Sequence, residues 1–445
     1  MKSMKRRSFL KATLAASVAG VASFNIQAAG PSANSKLNIV GVGIGGMGAN
    51  NLKNLRGRHN IIGIADPDEE RSGKKYPDPK VKRWRDYRKM FDDIGKDIDG
   101  VITATPEHAR FAVCMYFIKR GKHVYAQKPL THTVNEARVL LEESKKHKVV
   151  TQMGNQGHST RETALIRDWI KAGAIGNVTE VIGYSRKNYW TKVKPVEGGT
   201  APSTLDWNLW LNRAEKIPFS SSYMNREWIR YSHFSGVVGD MATHILDPAN
   251  YALELGAPLS IEAQVQEKHR GYPGSLPVAG VVTWAFPARG DMPPVTMKYY
   301  VGPEIEYPRP KRLEEGRSAR FMGSGSVMVG DKASMYAGSH SQSPRIFPET
   351  AMKATPKPKA ISERNKGGSH EGNWIWAIQN GKQAMSNFKY ACPFTETLIL
   401  GDVALMNPGR KLLWDAKNMK ITNDEDANKD MFMRRLAPRD DMKWI

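Results

Sequence analysis

The stretch LNIVGVGIGGMG (residues 37–48) determines the fold class expected for this 445-residue chain. An apolar run that predicts a strand leads into a glycine-rich turn, and GGMGANNLKNL then begins a helix. Two registers fit the spacing G-x-G-x-x-G: Gly41-Gly43-Gly46 and Gly43-Gly45-Gly48. The second register places the turn just after the strand, where glycines let the backbone approach a pyrophosphate at a helix N-terminus. The stretch therefore predicts a dinucleotide-binding turn.

An acidic residue at the end of the next predicted strand supports this interpretation. The strand NIIGIAD (60–66) ends at Asp66, 23 residues after Gly43. This spacing suits a carboxylate that binds the ribose hydroxyls of a dinucleotide. The alternative is a glycine-rich turn in which Asp66 only caps the following helix. Because a carboxylate there would repel a 2′-phosphate, the sequence favours NAD over NADP as the cofactor.

Strand and helix patterns alternate through the region that follows the turn. Apolar strands such as DIDGVITAT (97–105) and KHVYAQ (122–127) are separated by amphipathic helices. Short apolar strands with helices between them predict a parallel sheet covered on both faces, with its ligand at the carboxyl ends of the strands. We therefore predict an α/β Rossmann NAD-binding domain over residues 36–155.

The pattern changes after residue 155. Runs such as VAGVVTWAF, VTMKYYV and SGSVMVG, separated by Pro and Gly, predict an antiparallel sheet. A helical stretch, GDMATHILDPANYALEL (239–255), precedes them, and two more helical stretches follow. We predict an α+β domain for substrate binding and oligomerisation over residues 156–445, with an irregular surface loop over 339–370.

Residues 1–30 predict an export signal peptide. KRRSFLK (5–11) has two arginines followed by Ser-Phe-Leu-Lys, as in twin-arginine signals, and a short apolar run follows. An ordinary secretory signal that carries two arginines is the alternative. A twin-arginine signal directs the export of proteins that are already folded. We therefore expect a periplasmic protein that is exported with a tightly bound cofactor. No other stretch has the length of a membrane span, so we expect no transmembrane segment in the mature chain.

The formal net charge of +22 raises the question of nucleic-acid binding. The basic residues are scattered along the chain, and no nucleic-acid-binding motif accompanies them. A solvated basic surface is the better interpretation, and we expect no nucleic-acid partner. The two cysteines, Cys114 and Cys392, form no disulfide framework, and the sequence leaves open whether they pair.

Two further segments carry candidate catalytic groups. In AQKPL, Lys128 follows a strand of the same sheet and would point into the ligand crevice, although a Lys-Pro pair is equally common in a plain loop. In GDMATHILD, the residues Asp240, His244 and Asp247 share one helix face. They could be a helix cap with a core histidine, a metal site, or an acid–base pair. Because no third partner motif accompanies them, we expect no metal.

The ordered series of these motifs resembles one protein family. After the glycine turn come TPEHA (105–109), AQKPL (126–130), MGNQGHS (153–159), DWNLWLN (206–212) and GDMATHILD (239–247). In this order they resemble the Gfo/Idh/MocA oxidoreductases, over nearly the whole chain from residue 37. The resemblance implies a Rossmann domain followed by a domain with a large open antiparallel sheet, whose exposed face makes a homodimer or homotetramer contact. It also implies a sugar or cyclitol substrate.

The resemblance assigns individual residues as well. The family's catalytic lysine falls on Lys128, and its Asp-x-x-x-His pair falls on Asp240 and His244. Where the family usually has Glu before that lysine, this chain has Gln127, which keeps the hydrogen-bonding reach but removes a charge. The implied cofactor contacts are Gly43, Gly45, Gly46, Met47, Gly48, Asp66, Thr105, His108, Gln127, Lys128 and Asn155.

These groups predict the oxidation of a secondary hydroxyl of a sugar or glycoside to a keto-sugar, with hydride transfer to NAD. His244 would be the base, because imidazole titrates near neutrality. Lys128 would stabilise the negative charge that develops on the reacting oxygen, and Asp240 would orient the site or bond a neighbouring hydroxyl. Lys128 as the base is the alternative.

Aromatic residues give a weaker indication of the substrate. Because aromatic faces stack on sugar rings, Tyr189, Trp190 and Tyr231 are the candidate substrate contacts, whereas the spacing of Trp207 and Trp210 is more typical of a core. Two other functions remain open. One is an NAD-dependent glycoside hydrolase that uses transient oxidation, and the other is a cofactor-binding protein without catalysis.

Overall fold

A computed structural model describes residues 35–185, 197–224, 226–271, 275–302, 305–317 and 324–434. The predicted signal peptide and two expected substrate contacts, Tyr189 and Trp190, lie outside the described residues. Within those ranges, no helix combines the length and the apolar character that a membrane crossing needs.

The amino-terminal part is a six-stranded parallel sheet. Its strands are β1 (Asn38–Val42), β2 (Asn60–Ala65), β3 (Lys82–Trp84), β4 (Gly100–Thr103), β5 (His123–Ala126) and β6 (Thr151–Met153). Their spatial order is β3-β2-β1-β4-β5-β6, and all neighbours run parallel. The order reverses between β1 and β4, so a ligand crevice opens at the carboxyl ends of these two strands.

Helices cover both faces of this sheet. They are α1 (Met47–Leu55), α2 (Glu69–Lys75), α3 (Tyr87–Ile94), α4 (Glu107–Ile118) and α5 (Val134–Lys146). Neighbouring strand residues face opposite sides: Val40 and Val101 pack in one apolar core, and Ile39 and Ile102 pack in the other. Burial on both faces explains why the strands have continuous apolar sequences instead of alternating ones.

The second part is built on a mixed sheet, which has nine strands within the described ranges. They are β7 (Val178–Tyr184), β8 (Ser260–Gln264), β9 (Gly280–Phe286), β10 (Val295–Val301), β11 (Gly325–Gly330), β12 (Ser334–Gly338), β13 (Arg345–Phe347), β14 (Leu412–Asp415) and β15 (Lys420–Ile421). Their order is β13-β12-β11-β7-β10-β9-β8-β14-β15. These neighbours are antiparallel, as expected, except that β7 and β10 run parallel. The long connection between β7 and β10 permits this direction.

The helices described in the second part are α6 (Arg161–Lys171), α7 (Trp207–Leu211), α8 (Val238–Ile245), α9 (Asp247–Leu253), α10 (Glu349–Ala354), α11 (His370–Gln379) and α12 (Phe388–Met406). The prediction of a single helix over 239–255 is wrong, because the chain forms two helices that meet at Leu246. Pro248 sits in the first turn of α9, where its missing N–H costs nothing. Asp247 therefore begins a new helix and does not extend the face of α8.

The segment 339–370 also departs from the expectation of an irregular surface loop. It contains β13 and α10, and its first residues form a turn that packs against α8. Ser341 in that turn is fully buried, and its Oγ accepts a hydrogen bond of 2.6 Å from the Thr163 hydroxyl. Polar residues without a repeating pattern gave no sign of this burial.

The carboxy-terminal segment returns to the Rossmann sheet. The Trp374 ring on α11 is fully buried in the same core as Ile39, and it lies edge-on to Tyr125 of β5. Asn51 of α1 donates a 2.6 Å hydrogen bond to Glu371. Residues far along the chain thus complete one core of the first sheet and hold the two parts together.

Candidate active site

The glycine turn has the geometry that the preferred register requires. Gly43 has a φ of 76°, and a Cβ there would lie 2.6 Å from the backbone nitrogen of Thr105. A Cβ on Gly48 would lie 2.5 Å from the carbonyl oxygen of Gly43. Gly46 differs, because a Cβ there would meet no atom of the described chain within 4 Å. Gly43 and Gly48 therefore shape the turn, while Gly46 faces open space.

That open space is a cavity of about 490 Å³ at the carboxyl ends of β1 and β4. Gly45, Gly46 and Met47 of the turn line it, and Met47 is 52% exposed beside it. Residues of the second part, including Trp210 and Asp240, also line it. The cavity thus has the size and position of a dinucleotide site between two domains.

Asp66 lies at the same cavity but bonds the glycine turn. Its Oδ2 accepts hydrogen bonds from the backbone nitrogens of Ile44 and Gly45, at 2.6 and 3.0 Å. Its Oδ1 accepts a 3.0 Å bond from the nitrogen of Asp68. Burial raises the pKa of Asp66 to about 6. Asp66 therefore fixes the turn, and its place after β2 fits a ribose contact as well.

Two other expected cofactor contacts also line the cavity. The Thr105 hydroxyl oxygen is buried and has no hydrogen-bond partner among the described residues, so it is available to a polar group of a ligand. Gln127 donates a 2.9 Å hydrogen bond to the Oδ1 atom of Asn51 on α1. A Cβ on Gly154 would lie 2.7 Å from the Gln127 amide carbon, so this amide is closely packed. Together with the glycine cradle, these features fit NAD.

Lys128 and Asp240 form an ion pair at this cavity. Lys128 Nζ lies 2.7 Å from Asp240 Oδ1 and also donates to the Asp240 carbonyl oxygen. The two side chains are 15% and 9% exposed. The lysine follows β5 and the aspartate lies on α8, so the pair joins the two parts of the chain where the crevice opens.

His244 lies one helical turn after Asp240 on the same face of α8. Its side chain is buried but does not itself line the cavity. Its ring stacks on His340, with centroids 3.9 Å apart and an interplanar angle of 22°. His340 lies in the turn after β12, and no sequence pattern marked it, because it falls in the segment expected to be a surface loop.

Asp247 and Asn155 belong to a separate buried network. Asp247 accepts hydrogen bonds from the Asn155 amide at 3.0 Å and from the Tyr390 hydroxyl at 2.6 Å, and it lies 3.0 Å from the His158 ring. Asn155 does not line the cavity. The break before α9 thus separates Asp247 from Asp240 and His244. Within the described ranges, no group of three or more acidic, histidine or cysteine residues could hold a metal ion.

Two further expected contacts lie in the core instead of on the cavity wall. The His108 ring is fully buried between Trp210 and Phe234, with centroids 4.9 Å away in both cases, and its Nε2 is 3.0 Å from the Trp210 carbonyl. Tyr231 is 7% exposed and packs edge-on against Tyr223. The structure therefore does not bring either residue together with the lysine–aspartate pair.

Two buried ionisable residues that line the cavity, Glu107 and Arg110, were not singled out from the sequence. Glu107 accepts hydrogen bonds from the Ser235 hydroxyl and the Gly236 nitrogen, and burial raises its pKa to about 7. Arg110 donates to the carbonyl oxygens of Thr105 and Pro129, and burial lowers its pKa to about 10. Arg110 thus ties together the ends of β4 and β5. Glu107 lies in the TPEHA motif and Arg110 directly follows it. The motif was therefore the sequence feature from which these two residues could have been found.

A segment of the second part crosses over the loop that follows β2. We name residues 203–206 the crossing segment. The backbone nitrogen of Glu69 donates to the carbonyl of Thr204, and the nitrogen of Asp206 donates to that of Pro67, at 3.1 and 2.9 Å. Leu205 pairs with Asp68 in an isolated antiparallel bridge and is 6% exposed. The segment is thus held against the loop after β2, whose residues line the cavity.

A Rossmann sheet that opens onto a mixed-sheet domain, with a lysine and a carboxylate paired at the seam, defines a class of NAD-binding oxidoreductases. Comparison with known families agrees with this class. The family model described as "Oxidoreductase family, NAD-binding Rossmann fold" matches residues 36–155. The model described as "Oxidoreductase family, C-terminal alpha/beta domain" matches residues 163–276. The chain belongs to the Gfo/Idh/MocA oxidoreductase family, and its amino-terminal part is that family's NAD-binding domain.

Curated relatives are similar over part of their length. A levoglucosan dehydrogenase of Pseudarthrobacter phenanthrenivorans is 27% identical over 166 residues, which are 37% of this chain and 35% of that protein. A scyllo-inositol 2-dehydrogenase (NAD(+)) of Bacillus subtilis is 26% identical over 149 residues, which are 33% of this chain and 43% of that protein. The matched region therefore spans less than half the length of either relative.

Solved structures share the fold over a larger region. The WlbA dehydrogenase from Bordetella pertussis, in complex with NADH and UDP-GlcNAcA, has a TM-score of 0.58 at 14% identity, and the match covers 86% of this chain and 99% of that one. At this identity the likeness shows the two-domain architecture alone.

Proposed function

We propose that this protein oxidises a secondary hydroxyl of a sugar or glycoside to a keto-sugar, with NAD as the hydride acceptor. The observation that carries the proposal is the Lys128–Asp240 ion pair in the lining of the cavity that the glycine turn also lines. The dehydrogenase names of the partial relatives support the reaction class. Oxidation of an alcohol needs these two parts side by side, because hydride and proton leave from adjacent atoms.

Each polar group has a role in this reaction. Lys128 Nζ would donate a hydrogen bond to the reacting oxygen and stabilise its developing negative charge. Asp240 holds the ammonium group in place, since its carboxylate and carbonyl oxygens both accept from it. His244 would accept the hydroxyl proton on its imidazole, which requires its buried ring, absent from the cavity lining, to come within hydrogen-bonding reach of the substrate. Both members of the ion pair are largely buried. The low local dielectric constant therefore strengthens the electrostatic interactions of the ammonium group.

The glycine turn, Asp66, Thr105 and Gln127 would hold the cofactor. NAD, when bound, supplies the group that accepts the hydride. We propose that it stays bound between turnovers, and the crossing segment supports this, because two backbone hydrogen bonds and a buried leucine hold it against the loop after β2, which lines the cavity. Slow release suits a protein that is folded around its cofactor before export, and we propose a periplasmic location on the basis of KRRSFLK (5–11).

We further propose a homodimer or homotetramer. Alternate residues of β9 and β10 are only half buried, as on a sheet face that is left for a partner. Light scattering on the purified protein checks the assembly. A monomer at micromolar concentration would contradict it.

Product analysis tests the reaction. We expect that a panel of glycosides, incubated with the NAD-loaded protein and analysed by mass spectrometry, yields a product lighter by two hydrogens with its glycosidic linkage intact. The matched control is Lys128→Met. Release of the aglycone by wild type, with no keto-sugar, would overturn the proposal in favour of a hydrolase that uses transient oxidation. Absence of both products with bound NAD would favour a binding protein.

A further inference from the structure

His340 contacts the proposed base through its ring. The His340 and His244 rings stack with their centroids 3.9 Å apart. His244 is one helical turn from Asp240, which holds Lys128. The stack therefore adds a residue from the end of β12 to a site otherwise built from β5 and α8.

The turn that carries His340 is held in an unusual conformation. His340 has φ 62° and ψ 28°, and the next residue, Ser341, has φ 64°. Left-handed conformations cost free energy in residues other than glycine and persist where the surroundings impose them. A Cβ on Gly157 would lie 2.6 Å from the His340 Cα, so a glycine there lets the turn approach. The Ser339 hydroxyl lies 2.8 Å from His340 Nδ1 and orients the ring.

We propose that His340 is a positioning residue for His244. Its ring fixes the plane of the His244 imidazole, and the repulsion between two stacked imidazolium rings keeps His244 neutral and able to accept a proton. This inference rests on the proposed function, in which His244 takes the hydroxyl proton. The other titratable or charged groups on the elements packed around this turn and α8 are Asp240 with its partner Lys128, His158, Glu180, Tyr184, Asp247, Tyr251, Tyr336, Lys389, Tyr390, Cys392, Glu396 and Asp402.

The test compares His340→Asn with Ser343→Asn in the full chain with bound NAD. Asparagine tolerates a left-handed backbone, so the first variant removes the ring and keeps the turn. Ser343 has φ 47° and is exposed, which makes it a matched control in the same turn. Two readouts are taken against pH: the NMR signal of the His244 imidazole, and the rate at which a glycoside reduces the bound NAD.

We expect His340→Asn to move the His244 titration midpoint to higher pH by about one unit and to move the acidic limb of the rate profile with it. Ser343→Asn should match wild type in both. Unchanged midpoints and profiles in His340→Asn would overturn the inference while leaving the proposed function intact. If no glycoside reduces NAD in wild type, the proposed function fails, and the NMR titration still decides the effect of the stack.

The wild type gives a second measurement that does not depend on any variant. The stack predicts that the two histidines titrate as a coupled pair, with a second proton bound only at clearly lower pH than the first. Two independent single-step titrations would contradict the inference.

Discussion

Lys128 Nζ lies 2.7 Å from Asp240 Oδ1, although 112 residues separate them in the sequence. The lysine follows the fifth strand of the Rossmann sheet, and the aspartate lies on the first of two short helices in the second part. Because both groups are largely buried, neither charge would be well accommodated without the other. The pair therefore stabilises the contact between the two parts and also places an ammonium group at the crevice.

Replacing the lysine should separate catalysis from cofactor binding. We expect Lys128→Met to reduce the rate of glycoside-dependent NAD reduction by at least about a hundredfold, because it removes the donor to the reacting oxygen. Bound NAD should remain, since the glycine turn is untouched. Lys122→Met is the control, because Lys122 precedes the same strand and bonds the Ile98 carbonyl, away from the cavity. Near-normal turnover in Lys128→Met would show that the site has been assigned wrongly.

Glu107 should make stability fall as pH rises. Burial raises its pKa from 4.5 to about 7 in the folded protein, so the folded state binds the proton more tightly than the unfolded state. Its contribution is fully present below pH 4.5 and is lost as pH rises through about 7, by about 3 kcal/mol. We expect Glu107→Gln to lose less free energy of unfolding than wild type between these two pH values. Urea unfolding at both pH values measures the difference, and parallel declines would contradict the assignment.

The Rossmann half could be predicted from the sequence because its signals are local. The glycine turn, the first two strands and Asp66 lie within 30 residues of one another, and parallel strands bring their carboxyl ends to one edge. The same rule placed Lys128 at the crevice. Asp240 was identified from its motif and from the resemblance to a family, but its ion pair with Lys128 was not predicted, because no local pattern shows which distant residues meet.

The fold of the second part and the rest of the candidate site depend on contacts between segments that are distant in the sequence. Tyr231 is a core residue, because an aromatic side chain in a sequence looks the same whether it packs on neighbours or on a sugar. His340 was missed because a polar turn carries no periodic pattern, although Gly157 must be small to admit it. The parallel direction of β7 and β10 depends on the route of a long connection, which no local pattern specifies.

The crossing segment should slow the release of NAD. We expect wild type purified without added cofactor to release NAD on denaturation. Leu205→Ala should speed dissociation of NAD at least tenfold, because the buried leucine anchors the segment on the cavity-lining loop at Asp68. The control is Leu140→Ala, which empties a core position on α5 away from the cavity. Dissociation is followed by fluorescence of the reduced cofactor after dilution. Equal rates in the two variants would mean that the loss of NAD reflects general destabilisation.

Substitutions at two glycines should locate the cofactor without any knowledge of the substrate. Gly43→Ala puts a Cβ 2.6 Å from a backbone nitrogen at a φ of 76°, so we expect it to lower the free energy of unfolding by at least about 2 kcal/mol. Gly46→Ala puts its methyl group into the open cavity, so it should lower stability less and reduce NAD affinity about tenfold or more.

Gly57→Ala is the control for this pair, because Gly57 has a φ of 84° with nothing near its Cβ and lies outside the cavity. Gly57→Ala should lower the free energy of unfolding only by the cost of placing alanine in a left-handed backbone conformation, and it should leave NAD binding unchanged. Urea unfolding and calorimetric titration of NAD into the apoprotein measure the two effects. If Gly46→Ala binds NAD as wild type does, the dinucleotide does not lie against the glycine turn.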